Sequence, residues 1–273
     1  MIKATACYDD WIGLDKIDFK REVIFFNNKI DYNILGNENI FKVLLTFSEP
    51  EYFRISNSEV ILNSNNLDLI LTYDEDILDK CPNARKFVLG TSCVKQEEAA
   101  SIDYMKKEFK VSFICGGKNH LDGHRLRQEI WERQKEIKIK KEFWISSQSS
   151  LKDVDNNKIY PKDIDKFLLF KDAQFHICVE NSKLNNYFTE KICDCFNTYT
   201  VPIYWGSLNI GDYFDKKGII IFEDIPDMMN KINNLTEKDY YERIDSMLSN
   251  KQKVKKYLVD MAYRIKSIVE PLL

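Results

Sequence analysis

The stretch that decides the fold is ENSKLNNYFTEKICDCFNTYTVPIYWG, residues 180–206. It begins with polar residues after an apolar strand, continues into a helix that starts near Thr189, and ends with a strand at 201–205 before Gly206. The carboxyl ends of parallel strands meet at one edge of a sheet, where α/β proteins bind ligands. The stretch therefore predicts an α/β protein with a binding site at this edge.

The alternation of strands and helices continues on both sides of this stretch. Upstream, an apolar strand at 111–115 leads through Gly116-Gly117 into a helix at about 123–136. The first hundred residues hold short β-rich runs, at 22–26, 42–47, 67–73 and 86–89. Such alternation predicts parallel sheets covered by helices. We place a boundary near residue 100, which divides the chain into two domains, 1–100 and 101–273.

The composition favours a folded protein and argues against some partners. Hydrophobic residues make up 44% of the 273-residue chain, and the net charge of -3 disfavours a broad nucleic-acid surface, which needs an excess of Lys and Arg. The seven cysteines are odd in number and several lie in apolar runs, which predicts buried free thiols in a reducing compartment. Since no apolar leader and no run of about 18 apolar residues is visible, we expect a cytoplasmic protein without a transmembrane segment.

The helix start at Thr189-Glu190-Lys191 carries the most specific chemistry. Thr189 is predicted to be the N-cap, which places Glu190 and Lys191 in the first turn, where free N–H groups and the helix dipole favour an anion. Lys191 would add a cation for phosphate oxygens, and Glu190 would accept hydrogen bonds from ribose hydroxyls. Considered alone, however, the motif is better explained as an ordinary helix start with an incidental lysine.

Four further candidates follow predicted strands or open a helix. Glu180 and Asn181 come directly after an apolar strand, and Arg127 lies near the start of the upstream helix, where a guanidinium suits a pyrophosphate. Glu49 also follows a strand, where a carboxylate facing the cleft between the domains would act as a general base. A solvated strand end and a solvated arginine face are the alternative interpretations.

No metal site is expected. Cys193 and Cys195 would point about 200° apart on a helix, since each residue turns by about 100°, and so would not chelate one ion together.

The C-terminal segment carries an apolar stripe with spacings of four, three, four and three residues, which predicts one amphipathic helix. The stripe consists of Val254, Leu258, Met261, Ile265 and Ile268. We expect it to pack on the core. Basic side chains on the other faces leave peripheral contact with an anionic membrane as the alternative.

The compound pattern resembles the donor-site signature of glycosyltransferase family 10, the α-1,3/1,4-fucosyltransferases, and is most similar to the bacterial branch. The similar residues are Glu180-Asn181-Ser182, Tyr187-Phe188-Thr189-Glu190-Lys191 and Val201-Pro202-Ile203-Tyr204-Trp205-Gly206. Two weaker similarities place the family's phosphate-binding arginine on Arg127 and its proposed catalytic base on Glu49. The family has a glycine where Ser48 stands in this chain.

The resemblance implies a GT-B architecture, in which two Rossmann-like domains with parallel sheets face a central cleft. It implies an inverting transfer of L-fucose from GDP-fucose to a hydroxyl of a glycan, without an obligatory metal or other cofactor. Residues 1–100 would form the acceptor side and residues 101–273 the donor domain. A transferase for a different nucleotide sugar and a catalytically inert glycan-binding protein are the alternatives.

The resemblance also assigns roles to the candidate residues. Arg127 and Lys191 would neutralise the departing diphosphate, and Glu190 would hold ribose or sugar hydroxyls. Tyr187 would line the sugar pocket, while Glu180 and Asn181 would contact the donor or shape its pocket. Glu49 would deprotonate the acceptor hydroxyl.

Overall fold

The computed structural model describes residues 2–3, 5–7, 12–48, 55–146, 149–160 and 166–273. Within these residues, two larger sheets are entirely parallel, one of five strands and one of six. The predicted α/β class with two Rossmann-like parallel sheets is confirmed. By their contacts, the residues form two units: Met1–Leu89 with Asn185–Tyr187 and Val259–Leu273, and Gly90–Leu184 with Phe188–Leu258.

Helices connect most of the strands. The α-helices are α1 (Tyr32–Leu35), α2 (Asn57–Asn63), α3 (Glu75–Lys80), α4 (Gln96–Ala100), α5 (Asp122–Glu132), α6 (Phe167–Phe170), α7 (Glu190–Asn197), α8 (Ile225–Asn233), α9 (Glu237–Tyr241), α10 (Ile244–Val254) and α11 (Met261–Val269). Short 3-10 helices lie at Leu14–Lys16, Ser64–Asn66, Tyr104–Lys106, Gln134–Glu136, Ile210–Asp212, Lys216–Gly218, Lys255–Tyr257 and Glu270–Leu272.

The first unit contains a sheet in which the chain advances in one direction. Its strands are β1 (Ile2–Lys3), β2 (Thr5–Cys7), β3 (Asp18–Phe19), β4 (Val23–Asn27), β5 (Phe41–Thr46), β6 (Leu69–Thr72) and β7 (Ala84–Lys86). The parallel sheet has the order β2-β4-β5-β6-β7, and β1 pairs with β3 in a separate antiparallel ribbon. Every residue of β5 is buried, as expected for a central strand covered on both faces.

The second unit contains a sheet in which the chain reverses direction. Its strands are β8 (Glu108–Cys115), β9 (Lys141–Ser146), β10 (Lys158–Tyr160), β11 (Ala173–Val179), β12 (Val201–Trp205) and β13 (Ile220–Ile221), in the order β10-β9-β8-β11-β12-β13. The chain moves outward from β8 to β10, returns beside β8 as β11, and continues in the opposite direction. In open parallel sheets, ligands bind at the carboxyl ends of the strands where the order reverses. The pair β8 and β11 forms that point here.

The apolar stripe at the C-terminus lies on two helices and the turn between them. The prediction of one continuous helix is therefore wrong. The chain leaves α10 at Val254 and starts α11 only at Met261. The interruption has a local cause, because the side chain of Asp260 accepts a hydrogen bond from the N–H of Ala262 at 3.0 Å and caps a new helix. Val254, Met261 and Ile265 are buried, which supports packing of the stripe on the core.

The segment Val259–Leu273 belongs to the first unit by its contacts. Lys16 forms an ion pair with Asp260 at 3.1 Å, and Arg264 donates a hydrogen bond to the carbonyl of Val88 at 2.9 Å. The two units defined by contacts therefore have other bounds than the two domains predicted from the sequence. The division into an acceptor-side domain and a donor domain near residue 100 stays a prediction. In the described part of the chain, no helix combines the length and apolar character needed to cross a membrane.

Candidate functional site

A cavity of about 490 Å³ lies at the carboxyl edge of the second sheet, beside the reversal between β8 and β11. Its lining comprises Gly116, Gly117, Lys118, Asn119, His120, His124, Arg127, Ser146 and Ser150. Two of these side chains are permanent cations, and among the described residues that line the cavity none is acidic. A concave site with one sign of charge attracts a ligand of the opposite sign. The cavity is therefore suited to an anionic ligand.

The loop after β8 brings the backbone to the cavity through Gly116-Gly117. A Cβ atom added at Gly116 would meet no other atom of the described residues within 4 Å, and the backbone there is not left-handed. Neither packing within the protein nor backbone strain requires a glycine at this position. The open space is what a close approach between the backbone and a ligand needs. Gly116 therefore leaves room for a ligand to approach the backbone of this loop.

The N-terminus of α5 packs tightly against the residues that follow β11. A Cβ added at Gly123 would lie 1.8 Å from the carbonyl oxygen of Glu180, so only a glycine fits. The N–H of Gly123 donates a hydrogen bond to the carbonyl of Asn181 at 3.0 Å. The turn Glu180-Asn181 thus determines where the first turn of α5 lies.

Arg127 lines the cavity and is held in place by the end of β11 and by the turn after it. Its guanidinium donates hydrogen bonds to the carbonyl of Val179 at 2.6 Å and to Oδ1 of Asn181 at 2.8 Å. A guanidinium carries its five N–H donors in a rigid plane, so these bonds fix the orientation of the whole group. The role of Asn181 in the structure is accordingly to position Arg127 and α5.

Glu180 is completely buried, and its carboxylate binds the start of α7. It accepts hydrogen bonds from the N–H of Thr189 at 2.9 Å and from the hydroxyl of Thr189 at 2.6 Å. Burial raises the pKa of Glu180, and the charge of Lys191, whose Nζ lies 3.7 Å from Oε2, opposes that shift. Both carboxylate oxygens thus have partners in the protein, and the predicted role of Glu180 at the donor stays a prediction.

The start of α7 has the predicted form. Thr189 is the N-cap, and its hydroxyl accepts a hydrogen bond from the N–H of Lys191 at 3.4 Å. The ammonium of Lys191 lies 3.1 Å from the Thr189 hydroxyl and 3.3 Å from Glu190. Although burial alone would raise the pKa of Glu190, the charges of Lys191 and Lys166 hold it below its ordinary value. Glu190 is thus a carboxylate between two ammonium groups.

Asp194, also on α7, fastens the segment at residues 92–94. Its Oδ1 atom accepts hydrogen bonds from the hydroxyl of Ser92 at 2.6 Å and from the N–H groups of Cys93 and Val94 at 2.8 and 3.3 Å. The side chain is only 1% exposed, and burial raises its pKa to about 7. The sequence had indicated no role for this residue.

His124, another residue that sequence reasoning missed, lines the cavity beside Arg127. It is 4% exposed, and its Nδ1 atom accepts a hydrogen bond from the N–H of Leu121 at 3.2 Å. Burial and the nearby charges of Arg127, Lys118 and Lys191 lower its pKa to about 4. A signal was present, because His124 belongs to the same short segment as Arg127.

Tyr187 and Glu49 are the other two predicted site residues, and five further residues of the lining had not been predicted. Tyr187 belongs to the first unit, where its buried ring packs on that of Tyr73 with 5.5 Å between the ring centres, and it does not line the cavity. Glu49 lies outside the described residues, and the strand before it ends at Thr46. Lys118, Asn119, His120, Ser146 and Ser150 line the cavity without having been predicted.

Among the described residues, no group of three or more His, Cys, Asp or Glu side chains is arranged to hold a metal ion. The described cysteines are free thiols, and Cys193 and Cys195 are both buried. The expectation that no metal is required stays a prediction.

Comparisons with known proteins match the part of the chain that contains this site. A family model for the C-terminal part of glycosyltransferase family 10 (fucosyltransferase) matches residues 105–258, which include the cavity and both helix starts. The α-(1,3)-fucosyltransferase FucT of Helicobacter pylori is 32% identical over 81 residues, which are 28% of this chain and 16% of that enzyme. The match thus spans a small part of the length of that relative.

Solved structures resemble the chain over most of its length. A crystal structure of an α1,3-fucosyltransferase with GDP-fucose has a TM-score of 0.53 at 19% identity, over 91% of this chain and 78% of the other. The α,α-trehalose 6-phosphate synthase of Burkholderia multivorans has a TM-score of 0.59 at 10% identity, over 92% and 70% of the two chains. At such identities the likeness concerns the fold alone, and it confirms the predicted GT-B fold.

Proposed function

The chain belongs to glycosyltransferase family 10, and we propose that it transfers L-fucose from GDP-fucose to a hydroxyl of a glycan, with inversion at the sugar carbon. The observation that carries the proposal is the cationic cavity beside the sheet reversal, where Arg127 is held by Val179, the last residue of β11, and by Asn181. A nucleoside diphosphate is the anion that such a position suits in an open parallel sheet.

The donor's diphosphate would be neutralised by the chain's own groups. Arg127 supplies a fixed guanidinium, and Lys191 supplies an ammonium at the N-terminus of α7. Helix N-termini add free N–H groups and the positive ends of their dipoles. Groups held in place before the reaction stabilise the charge that develops on a leaving diphosphate without reorganising. The arrangement therefore supports departure of GDP without assigning an obligatory role to a metal.

The inverting step forms one bond while another breaks. The acceptor oxygen would bond to the anomeric carbon on the face opposite GDP, the bond between that carbon and the phosphate oxygen would break, and the acceptor's proton would pass to a general base. Glu49 is our candidate for that base, on the basis of its place in the family resemblance. Tyr187 stays a candidate for lining the sugar pocket.

Glu180 and Thr189 have a positioning role in this proposal. The bonds of the Glu180 carboxylate to Thr189 hold the first turn of α7, on which Glu190 and Lys191 are carried. Glu190, between Lys191 and Lys166, remains available as a hydrogen-bond acceptor for donor hydroxyls.

Donor binding is tested by a thermal-shift panel of GDP, GDP-fucose, GDP-mannose, UDP-glucose and UDP. We expect GDP and GDP-fucose to raise the melting temperature, because a ligand that binds only the native state stabilises it. Lys191→Ala should reduce this shift, because it removes the ammonium at the first turn of α7. Lys217→Ala, which removes a lysine from the 3-10 helix Lys216–Gly218, serves as the control. A response to UDP-sugars alone would favour a different donor, and a response to no nucleotide would refute the proposal.

Catalysis is tested by following GDP release while the enzyme is screened with labelled GDP-fucose on a glycan array. We expect Glu49→Gln to bind GDP-fucose as the wild type does and to lose most of its transfer activity. Binding of the donor with no transfer by the wild type to any glycan would favour the inert glycan-binding alternative. The array also identifies the acceptor. The cytoplasmic location of the protein and the contact of α11 with a membrane stay predictions.

A further inference from the structure

We propose that His124 is a further ligand-binding residue of this site, and that its neutral ring donates a hydrogen bond from Nε2 to the anionic part of the bound nucleotide. The inference rests on the proposed function, since it takes the cavity to be a nucleotide site. It adds a residue that neither the signature motif nor the two predicted cations includes.

The geometry determines which ring nitrogen carries the proton. Nδ1 of His124 lies 3.2 Å from the backbone nitrogen of Leu121, with the N–H pointing at it. A backbone N–H only donates, so Nδ1 must be the acceptor. In a neutral imidazole the other nitrogen then bears the hydrogen. His124 therefore presents an Nε2–H donor.

This donor is available at the cavity. The His124 side chain belongs to the lining, and in the described part of the protein its Nε2 atom has no hydrogen-bond partner. The residue as a whole is only 4% exposed. Because no described lining residue is acidic, no carboxylate competes for this N–H. A phosphate oxygen would supply the missing acceptor.

The surrounding charges explain why a neutral donor suits this position. The charged and titratable groups that act on the ring are Arg127, Lys118, Lys191 and His120. Burial and these neighbours hold the pKa of His124 at about 4, so the ring is neutral at physiological pH. It thus adds a hydrogen bond without adding another positive charge to a site that already holds several.

Two substitutions separate ligand binding from the structural bond to Leu121. His124→Asn places an amide oxygen near the position of Nδ1, so it keeps an acceptor for the Leu121 N–H and loses the donor. His124→Gln reaches the position of Nε2 with an amide N–H, so it keeps the donor and loses the bond to Leu121. Affinities for GDP, UDP, inorganic pyrophosphate and guanosine are measured by titration calorimetry, and melting temperatures are recorded for all three proteins.

We expect His124→Asn to bind GDP about tenfold more weakly, as for the loss of a hydrogen bond to a charged group. His124→Gln should stay within about threefold of the wild type, and neither change should alter the affinity for guanosine. The reverse order, with normal binding by His124→Asn and weak binding by His124→Gln, would mean that the ring only supports the loop and would overturn the proposal.

The same titrations distinguish failure of this inference from failure of the proposed donor. If the wild type binds UDP or pyrophosphate but not GDP, the donor proposal fails, and the two variants are compared with the anion that does bind. If the wild type binds none of the three anions, both proposals fail. Equal binding of GDP by the wild type and both variants would overturn the role of His124 alone.

Discussion

Replacing Gly123 by alanine tests whether the first turn of α5 is held by the turn after β11. The added Cβ would lie 1.8 Å from the carbonyl oxygen of Glu180 and 2.9 Å from that of Asn181, whereas real Cβ contacts stay above 3.0 Å. Both obstacles are backbone atoms, which cannot move aside as a flexible side chain would. The helix start must therefore shift, and the 3.0 Å bond from Gly123 to Asn181 is strained or lost.

The expected loss of stability follows from three contributions. Overpacking costs about 1–3 kcal/mol, and the weakened hydrogen bond costs about 1 kcal/mol. Against these, alanine favours a helix over glycine by about 1 kcal/mol. The net loss is about 2 kcal/mol, which corresponds to a decrease of roughly 4–8 °C in melting temperature for a protein of this size class.

The assay is thermal unfolding followed by circular dichroism, with Gly116→Ala as the matched control. At Gly116 the added methyl group meets no atom within 4 Å, so this variant should be as stable as the wild type or gain about 0.4–1 kcal/mol. A Gly123→Ala protein that melts with the wild type would refute the reasoning, since it would mean that the close approach of α5 to Glu180 does not exist in solution.

Three further predictions concern binding and pH. Arg127→Ala should weaken GDP binding about 10- to 100-fold in titration calorimetry, as for the loss of charged hydrogen bonds, whereas Arg133→Ala, at the other end of α5, should change it little. Gly116→Ala should keep its stability yet bind GDP at least about threefold more weakly, because the methyl group occupies the space of the ligand; unchanged affinity would contradict this. Burial raises the pKa of Asp194 from 3.8 to about 7, so the folded protein holds this proton more tightly than the unfolded chain does. Proton binding by Asp194 therefore stabilises the fold fully below pH 3.8, and this stabilisation is lost as the pH rises towards 7. Asp194→Asn should therefore flatten the fall in urea midpoint between pH 4.5 and 8, and parallel curves for the two proteins would count against the assignment.

The elements of the second sheet could be predicted because their signals are local. The strand Val201–Trp205 has the predicted bounds, and α7 begins directly after Thr189 because a threonine hydroxyl can satisfy a free N–H of the first turn. The C-terminal stripe shows the limit of periodicity. Its spacing fits one helix, yet Asp260 competes as an N-cap and divides the stripe.

The cavity could be predicted only in part, because its residues meet through the order of the strands. Arg127 was found from its place at a helix start. Ser146 ends β9 and Ser150 follows it, and both reach the same cavity through pairing of that strand with β8. Burial is equally non-local. A solvated strand end was one of the two interpretations of Glu180 in the sequence, and its complete burial depends on the way Thr189 returns to it.

The turn Glu180-Asn181 has a consequence for protein engineering. It holds the start of α5 through Asn181 and the start of α7 through Glu180, so the two helix starts share one support. A chimera that exchanges α5 alone for that of a relative, in order to change the ligand, would inherit a surface shaped for different neighbours. The smallest segment that can be exchanged as a working module is therefore the pair of helix starts together with the turn between them.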